Sequence, residues 1–232
     1  MPYYGFYFDP TYILVLIGVV VCFIASAQVK TTYKKYERVI SRSGYTADQV
    51  AYMILRNAGI TDVSIHHIPG DLTDNYNPRE HTLNLSDKVY GSRSIAAIGV
   101  AAHECGHAIQ HARHYVPLTV RSAIIPAANI GSSLAWPLVL IGLIIPRLDF
   151  CMTIGILLFS LVVILQLVTL PVEFNASRRA IQIIRDSGYL APDELKGAKS
   201  VLKAAAMTYV AAMVSVSLQL LRLVILLSLI HI

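Results

Sequence analysis

Charged side chains are scarce in this chain: Asp, Glu, Lys and Arg make up 14% of its residues, against about 25% in an ordinary soluble domain. With 55% hydrophobic residues and a mean hydropathy of +0.58, that deficit excludes a conventional soluble protein and points to the bilayer. Cysteine is nearly absent. Cys22 and Cys151 lie in apolar runs and Cys105 within a helical motif, so there is no disulfide framework and the thiols suit a reducing compartment. The opening MPYYGFYFDP contains no Lys or Arg, so the apolar run behind it lacks the positive flank of a cleaved signal peptide and reads as a retained anchor. Internal repeats and low-complexity tracts are missing too. The 232 residues leave room for one modest domain outside the membrane, because each crossing takes about 20 residues.

Four apolar runs stand out, 12–27, 123–145, 151–170 and roughly 204–230, and each is a candidate span. Lys30, Lys34, Lys35, Arg38 and Arg42 crowd behind the first run, whereas only Asp9 precedes it. Basic residues stay in the cytoplasm, so the N-terminus is expected outside and residues 30–121 inside. Two further crossings put the PRLDF link outside and bring 171–203 back to the cytoplasm. That stretch carries Arg178, Arg179, Arg185, Lys196, Lys199 and Lys203, in independent agreement. The net charge of +5 thus reads as a set of topology determinants and not as a nucleic-acid surface. Arg222, inside the last run, is expected to snorkel to the outer interface.

Residues 30–121 read as a small mixed domain. A helix is expected over 46–57 with Thr46 as its cap and Val50, Met53 and Ile54 on one face. Residues 62–68 and 81–86 alternate like strands and are separated by the turn-rich GDLTDNYNPRE. A further helix should begin near Ser94 and run through His111. The expected division is an anchor helix (1–28), a cytoplasmic domain (29–121), a transmembrane hairpin (122–170), a cytoplasmic segment (171–203) and a C-terminal transmembrane helix (204–232).

Chemistry enters with HECGH, an HExxH match inside that last helix of the domain. Residues four apart share a helix face, so His103 and His107 can offer ring nitrogens to one ion. Glu104 stands beside them, where a carboxylate can take a proton from water acidified by zinc. Gly106 is small enough to admit another helix, and Cys105, one residue round, reads as core. Helix histidines that only pack or face solvent are the bland alternative.

A third ligand must come from elsewhere. His111 lies two turns from His103, about 12 Å along the axis, too far for both to reach one ion. A metzincin would need Gly and His where Gln110 and Arg113 stand. His114 is a candidate on the same helix as His111 and fits no better, His66, His67 and His81 belong to the strand region and read as surface or groove residues, and His231 has no assigned role. Glu173, in VEFNASRRA just past the third run, is the better candidate. Two crossings separate it from His107, and an even number returns the chain to the same membrane face. A solvated carboxylate paired with Arg178 or Arg179 is the alternative for Glu173.

The runs GDLTDNYNPREHTLNLSDKVY, SIAAIGVAAHECGHAIQHA, LPVEFNASRRA and AAAMTYVAA together resemble the YugP-like family of neutral zinc metallopeptidases of bacterial membranes, from the first span to the last. More remotely the chain is similar to the HtpX and prenyl-protease group, gluzincins whose HExxH helix is followed by a Glu ligand on a later helix. The resemblance implies a mainly α membrane protein with about four transmembrane helices and a small cytoplasmic α+β zincin-like domain, placed in the bacterial cell membrane. It further implies that His103, His107 and Glu173 bind Zn2+ and that Glu104 is the general base. The remoter group commonly has an Asp four residues after its Glu ligand, where this chain has Ser177. Asn175 or Ser177 is therefore the candidate to support a zinc-binding histidine.

The reaction expected is hydrolysis of peptide bonds in peptide or membrane-protein substrates, with Tyr209 and Arg178 as candidates for the oxyanion and residues 82–85 as a strand edge that pairs with substrate. Two readings compete. An intramembrane site-2-type protease is disfavoured because Arg93 and Arg113 bound the helix and because LDF at 148–150 lies in the outer link. A non-catalytic zinc-binding scaffold or adaptor is disfavoured by the intact Glu104.

Overall fold

The structure is a computed structural model that describes residues 9–230, so His231 lies outside the described residues. In chain order the elements are α1 (Tyr12–Glu37), α2 (Ala47–Asn57), β1 (Ser64–Ile68), β2 (Asn75–Asn77), β3 (Thr82–Ser86), α3 (Ile95–Ala112), α4 (Val116–Ile144), a 3-10 turn (Pro146–Leu148), α5 (Phe150–Asp186) and α6 (Pro192–Ile230). Four of the helices, α1, α4, α5 and α6, are long and apolar enough to cross a membrane. The chain is therefore a multi-pass membrane protein, mainly helical and with one small mixed sheet.

Past the third apolar run the chain stays helical. Helix α5 continues through Glu173 to Asp186, 37 residues in all, well beyond the roughly 20 that a crossing needs. Nothing between Val172 and Asp186 breaks a helix: the stretch contains no Gly or Pro. Termination comes at Gly188, whose φ of +67° suits a residue without Cβ. Pro192 then opens α6 where a missing N–H costs nothing.

Two compact units result. One comprises the chain up to Ile24, Ile124–Leu167 and the chain from Val210 onward. Within it α4 and α5 approach closely at small residues, because a Cβ on Gly155 would lie 2.8 Å from the Ala135 carbonyl oxygen; such contacts hold helices together where lipid is as apolar as their side chains. Ala135, Val139, Met152, Ile156, Phe159 and Leu223 form the core of this unit. Arg222 reaches the start of α1. It is buried, with Nη2 3.3 Å from Asp9 Oδ2, Nε donating to Thr11 Oγ1 at 3.2 Å and the guanidinium over the Tyr12 ring. A carboxylate, a hydroxyl and a ring at the start of α1 give the cation a partnered site inside protein.

The other unit comprises Ala25–Ala123 and Val168–Tyr209. Its core gathers Val50, Ala51 and Ile54 of α2, Leu83 and Leu85 of β3, Ile98, Ala101 and Ala102 of α3, and Ala180 and Ile184 of α5. Helix α2 starts after Thr46, whose N–H donates to Gln49 Oε1 at 3.0 Å, and Ser94 caps α3 by accepting from the Ala97 N–H at 3.1 Å. The sheet order is β1-β3-β2, with β3 parallel to β1 and antiparallel to β2. Strand β2 falls inside the stretch expected to be all turn. Its three residues have no apolar pattern of their own and are held by β3, through the ladder and through Asn84 Nδ2 donating to Asn75 Oδ1 at 3.0 Å. Residues 82–85 consequently offer no free edge, since β3 is flanked on both sides.

Candidate metal centre

The sequence places His103 and His107 one turn apart on α3, and their rings stand 4.8 Å apart between centroids. Facing them is α5. The two helices meet where α3 carries Gly106: a Cβ there would lie 2.7 Å from the Ala176 carbonyl oxygen, so only glycine lets α5 come this near. One turn before Ala176 is Glu173, 2% exposed. Its Oε2 lies 3.3 Å from His103 Nε2 and 3.5 Å from His107 Nε2. One ligand atom from each of the three side chains lies within 4.8 Å of the others.

These distances suit a shared ion. Tetrahedral zinc with bonds of about 2.0–2.1 Å has ligand-to-ligand edges of about 3.3–3.4 Å, close to the 3.3 and 3.5 Å of the two carboxylate contacts. Burial points the same way, because a carboxylate out of water requires a cation. The other oxygen, Oε1, has a separate partner in Arg121 Nη1 at 3.4 Å. Both imidazoles are also held from behind. Ser177 Oγ lies 3.1 Å from His103 Nδ1, and Gln110 Oε1 lies 3.0 Å from His107 Nδ1, which turns each Nε2 towards Glu173. Asn175 contacts no histidine directly; its Oδ1 accepts from Gln110 Nε2 at 3.0 Å and from Arg179 Nε at 2.7 Å.

Glu104 is buried beside the cluster, and burial pushes its carboxyl above the usual carboxylate range, against the opposing pull of His103 and His107. It opens on a cavity of about 230 Å³ together with His103, Glu173, Ser177 and Tyr209. The facing wall is largely apolar, with Leu72, Val100, Val201, Ala205 and Ala206 among its residues.

A family model described as "putative neutral zinc metallopeptidase" matches residues 11–228. The chain belongs to that family. It is also similar to the "Putative membrane protease YugP" of Bacillus subtilis (strain 168), with 45% identity over 202 residues, covering 87% of this chain and 89% of the relative. No solved structure matches the chain. Zinc is the cofactor of the family, and His103, His107 and Glu173 form the cluster of this chain that suits it.

Four of the other histidines among the described residues have partners of their own, and His114, expected on the HExxH helix, lies past the end of α3 at a φ of +48°. His66 bonds Ser64, His67 pairs with Asp87, His81 pairs with Asp62, and His111 Nδ1 lies 2.9 Å from the Tyr76 hydroxyl. Tyr209 lines the cavity, whereas Arg178 is exposed and does not; the guanidinium beside Glu173 is that of Arg121. Arg121 carries no local mark in the sequence, where it is one more basic residue before an apolar run. Asp74 lines the cavity as well, accepting from Ser86 N at 2.7 Å and Ser86 Oγ at 2.9 Å, with burial raising its carboxyl. It sits in the turn-rich stretch, where aspartate is expected for turn formation alone. Gln110 stands out in the sequence only as a departure from the metzincin pattern.

Proposed function

We propose that the chain is a membrane-bound zinc-dependent endopeptidase in which His103, His107 and Glu173 hold the metal and Glu104 is the general base. The observation that carries this reading is the meeting of a buried Glu173 with both Nε2 atoms of the HExxH histidines, at 3.3 and 3.5 Å, although two apolar runs separate it from them in the sequence. Held by His103, His107 and Glu173, zinc would supply Lewis acidity at the scissile carbonyl and a water of lowered pKa. Glu104, buried and facing the cavity, takes the proton of the attacking water. The water oxygen adds to the carbonyl carbon, the C–N bond breaks, and Glu104 passes the proton to the departing amine. Ser177 and Gln110 keep the two imidazoles oriented throughout. Of the two oxyanion candidates, Tyr209 is favoured because it lines the cavity, where its hydroxyl could donate to the developing oxyanion.

An extended substrate would add to β2, the sheet edge that packs against α3, through main-chain hydrogen bonds. The apolar cavity wall suits an apolar side chain next to the scissile bond. Basic residues behind the first and third runs support a cytoplasmic site with the N-terminus outside. Neither alternative gains an observation of its own: α3 is not among the apolar spanning helices, and a buried general base has no use in a scaffold. The test compares membrane proteomes of cells expressing the wild type or Glu104→Gln. Membrane-derived fragments should appear only with the wild type, and identical fragment sets would overturn the assignment.

A further inference from the structure

We propose that Gln110 is the positioning residue that fixes His107 for the metal and at the same time sets the height of the Glu173 helix. This rests on the zinc reading above. Gln110 is 0% exposed, and a fully buried primary amide is found where each of its polar ends has a defined partner. It follows His107 by three residues on α3, so the two side chains share a face.

The direction of every bond in this cluster follows from chemistry alone. Gln110 Nε2 lies 2.8 Å from the Val172 carbonyl oxygen, and a peptide carbonyl can only accept, so the nitrogen end of the amide must point to α5. A second acceptor agrees: Asn175 Oδ1 lies 3.0 Å from the same nitrogen and also receives Arg179 Nε at 2.7 Å, a guanidinium that can only donate. The oxygen end of Gln110 therefore faces His107 Nδ1 at 3.0 Å. An amide oxygen can only accept, so Nδ1 carries the hydrogen and the lone pair is left on Nε2, the nitrogen that faces Glu173 at 3.5 Å. His103 has no such lock. Its Nδ1 partner is the Ser177 hydroxyl, which rotates and can donate or accept.

The same amide spans the third ligand. Val172 and Asn175 stand one residue before and two residues after Glu173 on α5, so Gln110 ties α3 to the turn that carries it. One side chain thus orders two of the three proposed ligands, although it touches neither substrate nor metal.

The test measures zinc affinity of the full chain in detergent by competition with a chromophoric chelator, alongside thermal unfolding of the metal-free proteins. Gln110→Met, close in volume and without hydrogen bonds, should bind zinc about 10–100-fold more weakly than wild type. Cys105→Ala, equally buried on α3 but turned to Ala51, should bind as wild type. Asn175→Leu provides a second variant should Gln110→Met not fold. It should also weaken zinc, and Asn175→Asp, which keeps an acceptor oxygen, should recover most of that loss. Wild type without stoichiometric zinc would overturn the metal reading itself. Stoichiometric wild type with undiminished Gln110→Met, or with Cys105→Ala weakened equally, would overturn the role of Gln110 alone.

Discussion

Replacing Gly106 by alanine perturbs the centre without touching a ligand. The added Cβ would stand 2.7 Å from the Ala176 carbonyl oxygen and 3.1 Å from its Cα, against an ordinary carbon-to-oxygen approach of about 3.3 Å. The obstacle is backbone, so no rotamer relieves it and α5 must retreat by about 0.6 Å, carrying Glu173 one turn away. Metal sites tolerate distance errors of only about 0.2 Å, so zinc affinity should fall at least about tenfold, equivalent to about 1.4 kcal/mol. Stability is a closer contest. Overpacking costs about 1–3 kcal/mol, while alanine is about 1 kcal/mol better than glycine inside a helix, leaving a net loss between zero and about 2 kcal/mol. The assay is chelator competition together with thermal unfolding, with Gly99→Ala as its control. There the new Cβ meets the Ala198 Cβ at 3.3 Å, which a few tenths of an ångström relieve. Wild-type zinc affinity in Gly106→Ala would refute the reasoning.

Glu104→Gln should retain stoichiometric zinc and lose peptidase activity, because the carboxylate acts on the proton and not on the metal; full activity in the purified variant would sink its role. In a background lacking Cys22, Cys105 and Cys151, Tyr3→Cys should be labelled from outside by an impermeant thiol reagent and Lys35→Cys should not, and the reverse pattern would overturn the cytoplasmic placement. Asp9→Ala should lower the thermal midpoint in detergent more than Arg222→Leu does, because it leaves a buried guanidinium without its carboxylate whereas the second change leaves Asp9 near the surface. Equal midpoints in the two variants would refute that asymmetry.

Features set by local pattern were legible in the sequence. The α2 and α3 starts follow from Thr46 and Ser94 ahead of apolar periodicity, and the four long helices follow from hydropathy. Hydropathy, however, marks where a helix leaves apolar surroundings and not where it ends, so although VEFNASRRA has helical spacing, its fusion with the third span into one helix to Asp186 was not marked. The proximity of Glu173 to His103 and His107 was permitted by topology, by counting crossings, and implied by the family resemblance. Strand β2 was hidden because three residues of Asn-Tyr-Asn acquire their conformation from β3. Arg121 and Gln110 were hidden for a related reason: a basic residue before a span and a glutamine after HExxH have the same local signature whether they meet a buried carboxylate and an imidazole or not.

The central claim is that one ion joins α3 to α5, and the most direct measurement is a zinc-edge anomalous map of the metal-loaded protein. The expected result is a single peak about 2.0–2.2 Å from His103 Nε2, His107 Nε2 and a carboxylate oxygen of Glu173, lost in Glu173→Ala. A peak held by His111, His66, His67 or His81 with Glu173 turned to solvent would contradict the claim while leaving the two HExxH histidines in place.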